Sequence, residues 1–172
     1  MRRLIASLLL AVSMPAAAEL GNLGDHGFTV THTAESTAAP AAVYRAMTQH
    51  IDQWWNGAHS WSGAAENLYL RTGPGGCFCE NMPGGGHVEH LRVIFDAPDR
   101  ELRFDGALGP LQTLPVSGRM IWRIEPTADG ARITFVYHVT GRPEGGLRGI
   151  APAVDGVIGE QLNRLQTLLQ AD

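Results

Sequence analysis

Hydrophobic and polar positions alternate along most of the chain, the pattern of β-strands with one buried face. Met120 and Trp122, for example, lie on one face of an extended segment, and Arg119 and Arg123 lie on the other. Short runs rich in Gly, Pro and Asp separate such segments and indicate turns. The segments with strand character are residues 25–34, 68–71, 77–82, 88–95, 101–105, 116–124 and 132–139. The pattern predicts a curved antiparallel sheet of six to seven strands.

Two segments instead repeat hydrophobic residues every three to four positions, as amphipathic helices do. The first begins at Pro40, where proline is tolerated at a helix start, and carries Met47 and Ile51 on one stripe. It ends at the adjacent Trp54 and Trp55. This short helical insert follows the first predicted strand and would form a lid at one end of the sheet.

The second helical segment spans residues 150–169 and keeps the 3.6-residue period for more than five turns. Gly156 and Gly159 interrupt it, each destabilising a helix by about 1 kcal/mol relative to Ala. Two explanations are open: close packing of the helix on a strand, or space left for a ligand. The whole pattern predicts an α+β fold in which the long C-terminal helix packs across the sheet and an internal pocket remains.

The N-terminus has the composition of a secretory signal peptide. Arg2 and Arg3 precede an apolar run over residues 4–14, and Ala18 ends a small-residue cleavage site. The apolar run is shorter than the ~20 residues that span a bilayer. We therefore predict cleavage after Ala18 and a periplasmic or secreted protein without stable membrane insertion. The predicted division is a signal peptide (1–18), a flexible segment (19–25) and one folded domain (26–172).

Composition excludes several classes of function. The 172-residue chain has a net charge of −4, and all 13 of its basic residues are Arg. Without Lys there is no Schiff-base lysine. An acidic chain without a basic cluster argues against binding to nucleic acid. No phosphate-binding loop, nucleophile elbow or zinc-protease motif occurs in the sequence, so we predict no cofactor and no metal.

Cys77 and Cys79 are the only cysteines. On a regular strand, residues two apart lie about 6.5–7 Å from each other, at or beyond comfortable disulfide reach. Two free, buried thiols are therefore favoured, although the redox state is left open. A metal site is disfavoured because no second cysteine pair completes a tetrahedral set.

Several short segments resemble one family. They are residues 39–44 (Ala-Pro-Ala-Ala-Val-Tyr), Trp54-Trp55, residues 75–78 (Gly-Gly-Cys-Phe), residues 98–104 (Pro-Asp-Arg-Glu-Leu-Arg-Phe) and the Asp129-Gly130 hairpin. Together they resemble the START-like or Bet v 1-like (SRPBCC) superfamily, the helix-grip fold. Within it, the chain is similar to the group of the activator of Hsp90 ATPase. The resemblance covers residues 26–170 and implies a cavity for a lipid, sterol, polyketide or aromatic metabolite.

Strand parity and the implied cavity give a set of candidate ligand-binding residues. Trp54, Trp55 and Trp61 are expected at the mouth, and Gly156 and Gly159 on the helix. The inward-facing strand residues are expected to be Phe78, Glu80, Met82, Met120, Trp122, Phe135 and Tyr137. For each aromatic residue, ordinary core packing is the alternative explanation.

Glu80 is the one candidate catalytic residue, because a carboxylate between the apolar Phe78 and Met82 would need a partner or a raised pKa. A one-residue slip would instead turn it outward. On the next predicted strand, His87 and Glu89 share a face and His90 points away, so these residues do not converge on a metal.

Three functions are compatible with these features. The favoured one is an exported protein that binds a small hydrophobic or aromatic ligand. The second is an enzyme, similar to the cyclases or hydratases of the superfamily, that uses a cavity acid such as Glu80. The third is a chaperone cofactor, which predicted export disfavours. A shared fold alone decides none of them.

Overall fold

The computed structural model describes residues 17–171 and contains one antiparallel sheet packed against a long helix. The helices are α1 (Pro40–Gln49), α2 (Ile51–Trp54) and α3 (Ala151–Ala171). The eight strands are β1 (Ala17–Gly24), β2 (Gly27–Ser36), β3 (Leu68–Leu70), β4 (Cys77–Asn81), β5 (His87–Ala97), β6 (Glu101–Asp105), β7 (Val116–Pro126) and β8 (Ala131–Gly141). Their spatial order is β1-β2-β8-β7-β6-β5-β4-β3. This is the predicted α+β helix-grip architecture, with more strands than the predicted six to seven.

The additional strand is β1, which includes most of the segment that was expected to be flexible (19–25). Glu19 pairs with Thr31 and Leu20 with Val30, so β1 extends the edge of the sheet at β2. The hydrophobic pattern missed this strand because half of its residues are Gly or Ala, and backbone pairing rather than alternation defines it. Residues 1–16, most of the predicted signal peptide, lie outside the described residues.

The concave face of the central strands is filled by aromatic side chains. Trp122 on β7 lies at ring-centroid distances of 5.5 Å from Trp54, 4.7 Å from Phe104 and 4.9 Å from Phe135. All four side chains are fully buried. Edge-to-face and offset-stacked contacts of this kind add roughly 0.5–1.5 kcal/mol per pair to the burial of apolar area. The interior under the middle of the sheet is therefore solid core.

Cys77 and Cys79 form a disulfide, which corrects the expectation of free thiols. The two Cα atoms lie 5.5 Å apart, so β4 is less extended between these residues than the regular strand assumed in the prediction. This separation is within disulfide reach because it is shorter than the ~6.5–7 Å spacing of a fully extended chain.

The two glycines of α3 have different surroundings. A Cβ atom built on Gly159 would lie 2.6 Å from Cε1 of His32, whereas one built on Gly156 would contact nothing within 4 Å. His32 is buried and its Nε2 is 2.8 Å from Oδ1 of Asp155, so its ring has little freedom to move. Close packing thus explains Gly159, and Gly156 is exposed to solvent.

The substitutions Gly156→Ala and Gly159→Ala form a matched pair on one helix. We expect Gly156→Ala to raise the free energy of unfolding by about 1 kcal/mol through helix propensity. Gly159→Ala should lower it by roughly 1–3 kcal/mol, because the added methyl group displaces His32. Urea denaturation measures both. Equal stabilisation by the two substitutions would contradict the packing described for Gly159.

Candidate ligand cavity

A cavity of about 410 Å³ lies at one end of the sheet, beside the N-terminal half of α3. One wall is the start of α3, with Val154 and Val157, together with Ile150 just before the helix. The opposite walls are two loops, residues 58–61 and residues 108–111. Most of the lining is apolar, and His90 lies among these groups as a buried polar side chain. An apolar concave site with a few placed polar groups is the usual form of a small-molecule pocket.

Glu80 lies behind His90 and is completely buried. Its carboxylate accepts hydrogen bonds from the backbone N–H groups of Trp61, at 3.0 Å, and of Ser62. His90 Nε2 lies 2.9 Å from the same carboxylate. The buried charge is thus fully paired, and the pairing fixes the start of the 61–64 loop against the sheet.

A bulge in β5 turns His90 toward the interior. Phe78 pairs with Leu91 and Cys79 with Glu89, so β5 has one extra residue, His90, at this point of the ladder. His90 and Leu91 are consequently both buried, although neighbouring strand residues normally face opposite sides. The ring of Phe78 contacts the imidazole with centroids 4.9 Å apart.

The pKa values of both groups are lowered, which favours the charged form of Glu80 and the neutral form of His90. Burial would raise the pKa of Glu80, but hydrogen bonds from Ser62, from the Trp61 backbone and from His90 outweigh burial and lower it. Burial lowers the pKa of His90, and Glu80 offsets only part of that effect. At neutral pH the pair is therefore an ionised carboxylate and a neutral imidazole.

The loop over residues 108–111 is held by Tyr137. The Tyr137 hydroxyl accepts a hydrogen bond from the backbone N–H of Leu108 at 3.0 Å and donates to the carbonyl of Gly106 at 3.2 Å. Gly118 permits this approach, since a Cβ atom there would lie 2.1 Å from the Gly106 oxygen and 2.8 Å from the Tyr137 ring.

The loop on the other side is fastened to α3. Asn56 donates from its backbone to Gln161 at 2.7 Å and from its side chain to Glu160. His59 Nε2 lies 3.0 Å from the same Glu160 carboxylate. Both loops that line the cavity are thus anchored by polar contacts, and the space between them is preserved.

The structure separates the sequence-predicted ligand residues into three groups. Trp55 and Trp61 line the cavity. Phe78 and Glu80 lie directly behind it, in contact with His90. The others lie outside the cavity. The packed core contains Trp54, Met120, Trp122, Phe135 and Tyr137. Met82 is half-buried in a turn, Gly156 is exposed, and Gly159 is packed against His32.

The main candidate residue that sequence reasoning missed is His90, which lines the cavity. Strict alternation places it on the outer face of β5, and the bulge that reverses it has no sequence signal. The lining residues of α3 and of the 108–111 loop were also missed, because an apolar helix face is indistinguishable from core in sequence.

Within residues 17–171 no cluster of three or more potential metal ligands is found. The described helices include none that is long and apolar enough to cross a bilayer.

The Glu80–His90 pair should make stability pH-dependent. The pKa of His90 is lower in the folded protein than its ordinary 6.5, so the unfolded chain binds the proton more readily. The stability that neutral His90 contributes is fully present above about pH 6.5 and is lost as the pH falls through the folded pKa. We expect His90→Phe to flatten the decrease in unfolding free energy between pH 7 and pH 5, whereas exposed His87→Phe should retain it. Urea denaturation at each pH measures this, and a wild-type slope in His90→Phe would contradict the assignment.

Glu80 acts in the same direction at lower pH. Its pKa is below the ordinary 4.5, so its contribution is present above that value and is lost as the pH falls through the folded pKa.

Comparison with known proteins places the fold among solved structures. The protein MLL2253 from Mesorhizobium loti is 20% identical, with a TM-score of 0.60, over 83% of this chain and 97% of that one. A putative uncharacterized protein from Rhizobium leguminosarum is 19% identical, with a TM-score of 0.62, over 92% and 100%. CalU16 from Micromonospora echinospora is 15% identical, with a TM-score of 0.62, over 92% and 86%. Identities this low show a shared fold alone.

The comparison with family models is more specific. No curated protein matches the chain in sequence. The predicted closeness to the Hsp90-activator group stays a prediction. Residues 27–170, which include every strand after β1 and almost all of α3, match one family model. The chain belongs to the family described as polyketide cyclase / dehydrase and lipid transport.

Proposed function

We propose that this protein binds a small hydrophobic or aromatic molecule in the cavity between α3 and the two anchored loops. The observation that carries the proposal is the 410 Å³ space with mostly apolar walls, which lies beside a core of buried aromatic side chains. Ligand pockets are typically about 300–1,000 Å³. Membership of a family described by cyclases, dehydrases and lipid transport is consistent with such a ligand.

Val157→Phe tests the site directly, with Thr167→Phe as its matched control. Val157 lines the cavity, whereas Thr167 is exposed near the other end of the same helix. An aromatic ring at position 157 occupies ligand space, so we expect affinity for the apolar fluorophore N-phenyl-1-naphthylamine to fall about tenfold or more. Fluorescence titration measures it. Equal affinities of both variants and the wild type would place binding elsewhere.

A second candidate function is catalysis, and the Glu80–His90 hydrogen bond favours it. A carboxylate that orients an imidazole is a recurrent general-base arrangement. The proton-transferring group would then be His90, since Glu80 does not line the cavity and its pKa is lowered. Ligand recovered unchanged and in stoichiometric amount after incubation with the protein supports binding. A product whose formation ceases in His90→Phe would support catalysis.

The proposed location is the periplasm or the medium, after cleavage behind Ala18. The Cys77–Cys79 disulfide supports this location, because disulfides persist mainly in oxidising compartments. Cleavage there would remove the first two residues of β1 and leave the pairs from Glu19 onward.

Export can be tested with Ala16→Asp/Ala18→Asp, which removes the small residues that signal peptidase requires. In a Gram-negative host we expect wild-type protein in the periplasmic fraction with Glu19 as its first residue. The double variant should keep its leader and stay associated with the membrane. Intact-mass measurement of each fraction decides between them. An uncleaved wild-type protein in the cytosol would overturn the proposal.

A further inference from the structure

We infer that the ligand of this cavity is a neutral apolar molecule carrying a hydrogen-bond donor, such as a hydroxyl group, which is bound by Nδ1 of His90. This inference rests on the proposed ligand-binding function and specifies the chemistry that the cavity selects. It assigns His90 as the polar recognition group and Glu80 as the residue that positions it.

The position of the imidazole proton follows from the partners of Glu80. An ionised carboxylate can only accept hydrogen bonds, and this one already receives the backbone N–H groups of Trp61 and Ser62. The 2.9 Å contact with His90 therefore requires a proton on Nε2. In a neutral ring the other nitrogen, Nδ1, then carries a lone pair and is an acceptor.

Nδ1 is left free to act on a ligand. Within the described part of the chain, hydrogen bonding to His90 involves Nε2, and Nδ1 has no protein partner. Among residues 17–171, the one fully buried side-chain N or O atom without a hydrogen-bond partner is Trp122 Nε1. His90 Nδ1 also has no partner, so it must be partly accessible rather than fully buried. Because the His90 side chain borders the cavity, we expect this nitrogen to be reached from there.

The acceptor is also held in place. The β5 bulge sets the backbone of His90, the Phe78 ring lies against the imidazole, and Glu80 fixes its rotation. A hydrogen bond to a preorganised acceptor in an apolar pocket increases ligand affinity strongly, because the acceptor loses little orientational freedom on binding.

Charge excludes the alternative of an acidic ligand. No arginine lines the cavity, the chain has no lysine, and the Glu80 carboxylate lies directly behind His90. An anionic group beside the imidazole would be desolvated without a counter-charge and close to a like charge. A neutral hydrogen-bond donor avoids both the cost of desolvating a charge and the repulsion from Glu80.

The test compares three probes of one ring system: naphthalene, 1-methoxynaphthalene and 1-naphthol. We expect the wild-type protein at pH 7 to bind 1-naphthol about fivefold tighter than 1-methoxynaphthalene, from one added hydrogen bond. His90→Phe should bind the two equally while still binding naphthalene, and the exposed control His87→Phe should keep the preference. Glu80→Gln should weaken the preference. The amide N–H of Gln can donate to Nε2, and the imidazole proton then lies on Nδ1, which can no longer accept.

A second measurement needs no variant. In ¹⁵N NMR of the wild-type protein, the unprotonated His90 Nδ1 should move to lower frequency with 1-naphthol and stay with 1-methoxynaphthalene. Equal affinity for all three probes would overturn the donor inference and leave ligand binding intact. Absence of binding by any probe would overturn both proposals. A preference kept in His90→Phe but lost in His59→Phe would move the recognition group to His59.

Discussion

A buried carboxylate must be paired, and the partners of Glu80 connect the parts of the molecule that define its cavity. Two backbone N–H groups hold the loop that begins at Trp61, and His90 completes the set from the neighbouring strand. Removing any one partner would leave charge unsatisfied in a dry environment, which costs roughly 1–3 kcal/mol or more. The same contacts that satisfy the charge therefore place the imidazole at the cavity wall.

Core packing determines where the cavity lies. Trp54, Trp122 and Phe135 fill the space under the central strands, so the sheet does not enclose one large hollow along α3. The open space is at one end, where loops rather than strands face the helix. Tyr137 and Glu160 fasten those loops from opposite sides. The protein thus separates stability, carried by the aromatic cluster, from ligand contact, carried by the loops and the first half of α3.

The sequence predicted the architecture well, because period-two and 3.6-residue patterns report directly on buried faces. It also singled out Glu80, since a carboxylate between apolar neighbours is conspicuous. It could not reveal His90, which is buried because of the extra residue in β5. Nor could it reveal the disulfide, which depends on a stretch of β4 that is less extended than a regular strand. Nor could it separate Trp122 from Trp55, because hydrophobicity marks a residue as buried without indicating whether it borders a void.

The central claim is that the space beside α3 admits a small apolar molecule while the aromatic core does not. Titration of the ¹⁵N-labelled protein with naphthalene, followed by amide and Trp side-chain chemical shifts, tests it most directly. The account predicts saturable changes at Trp55, Trp61, residues 108–111 and residues 150–158, with Trp122 unaffected. Changes centred on Trp122, or no saturable change anywhere, would contradict it.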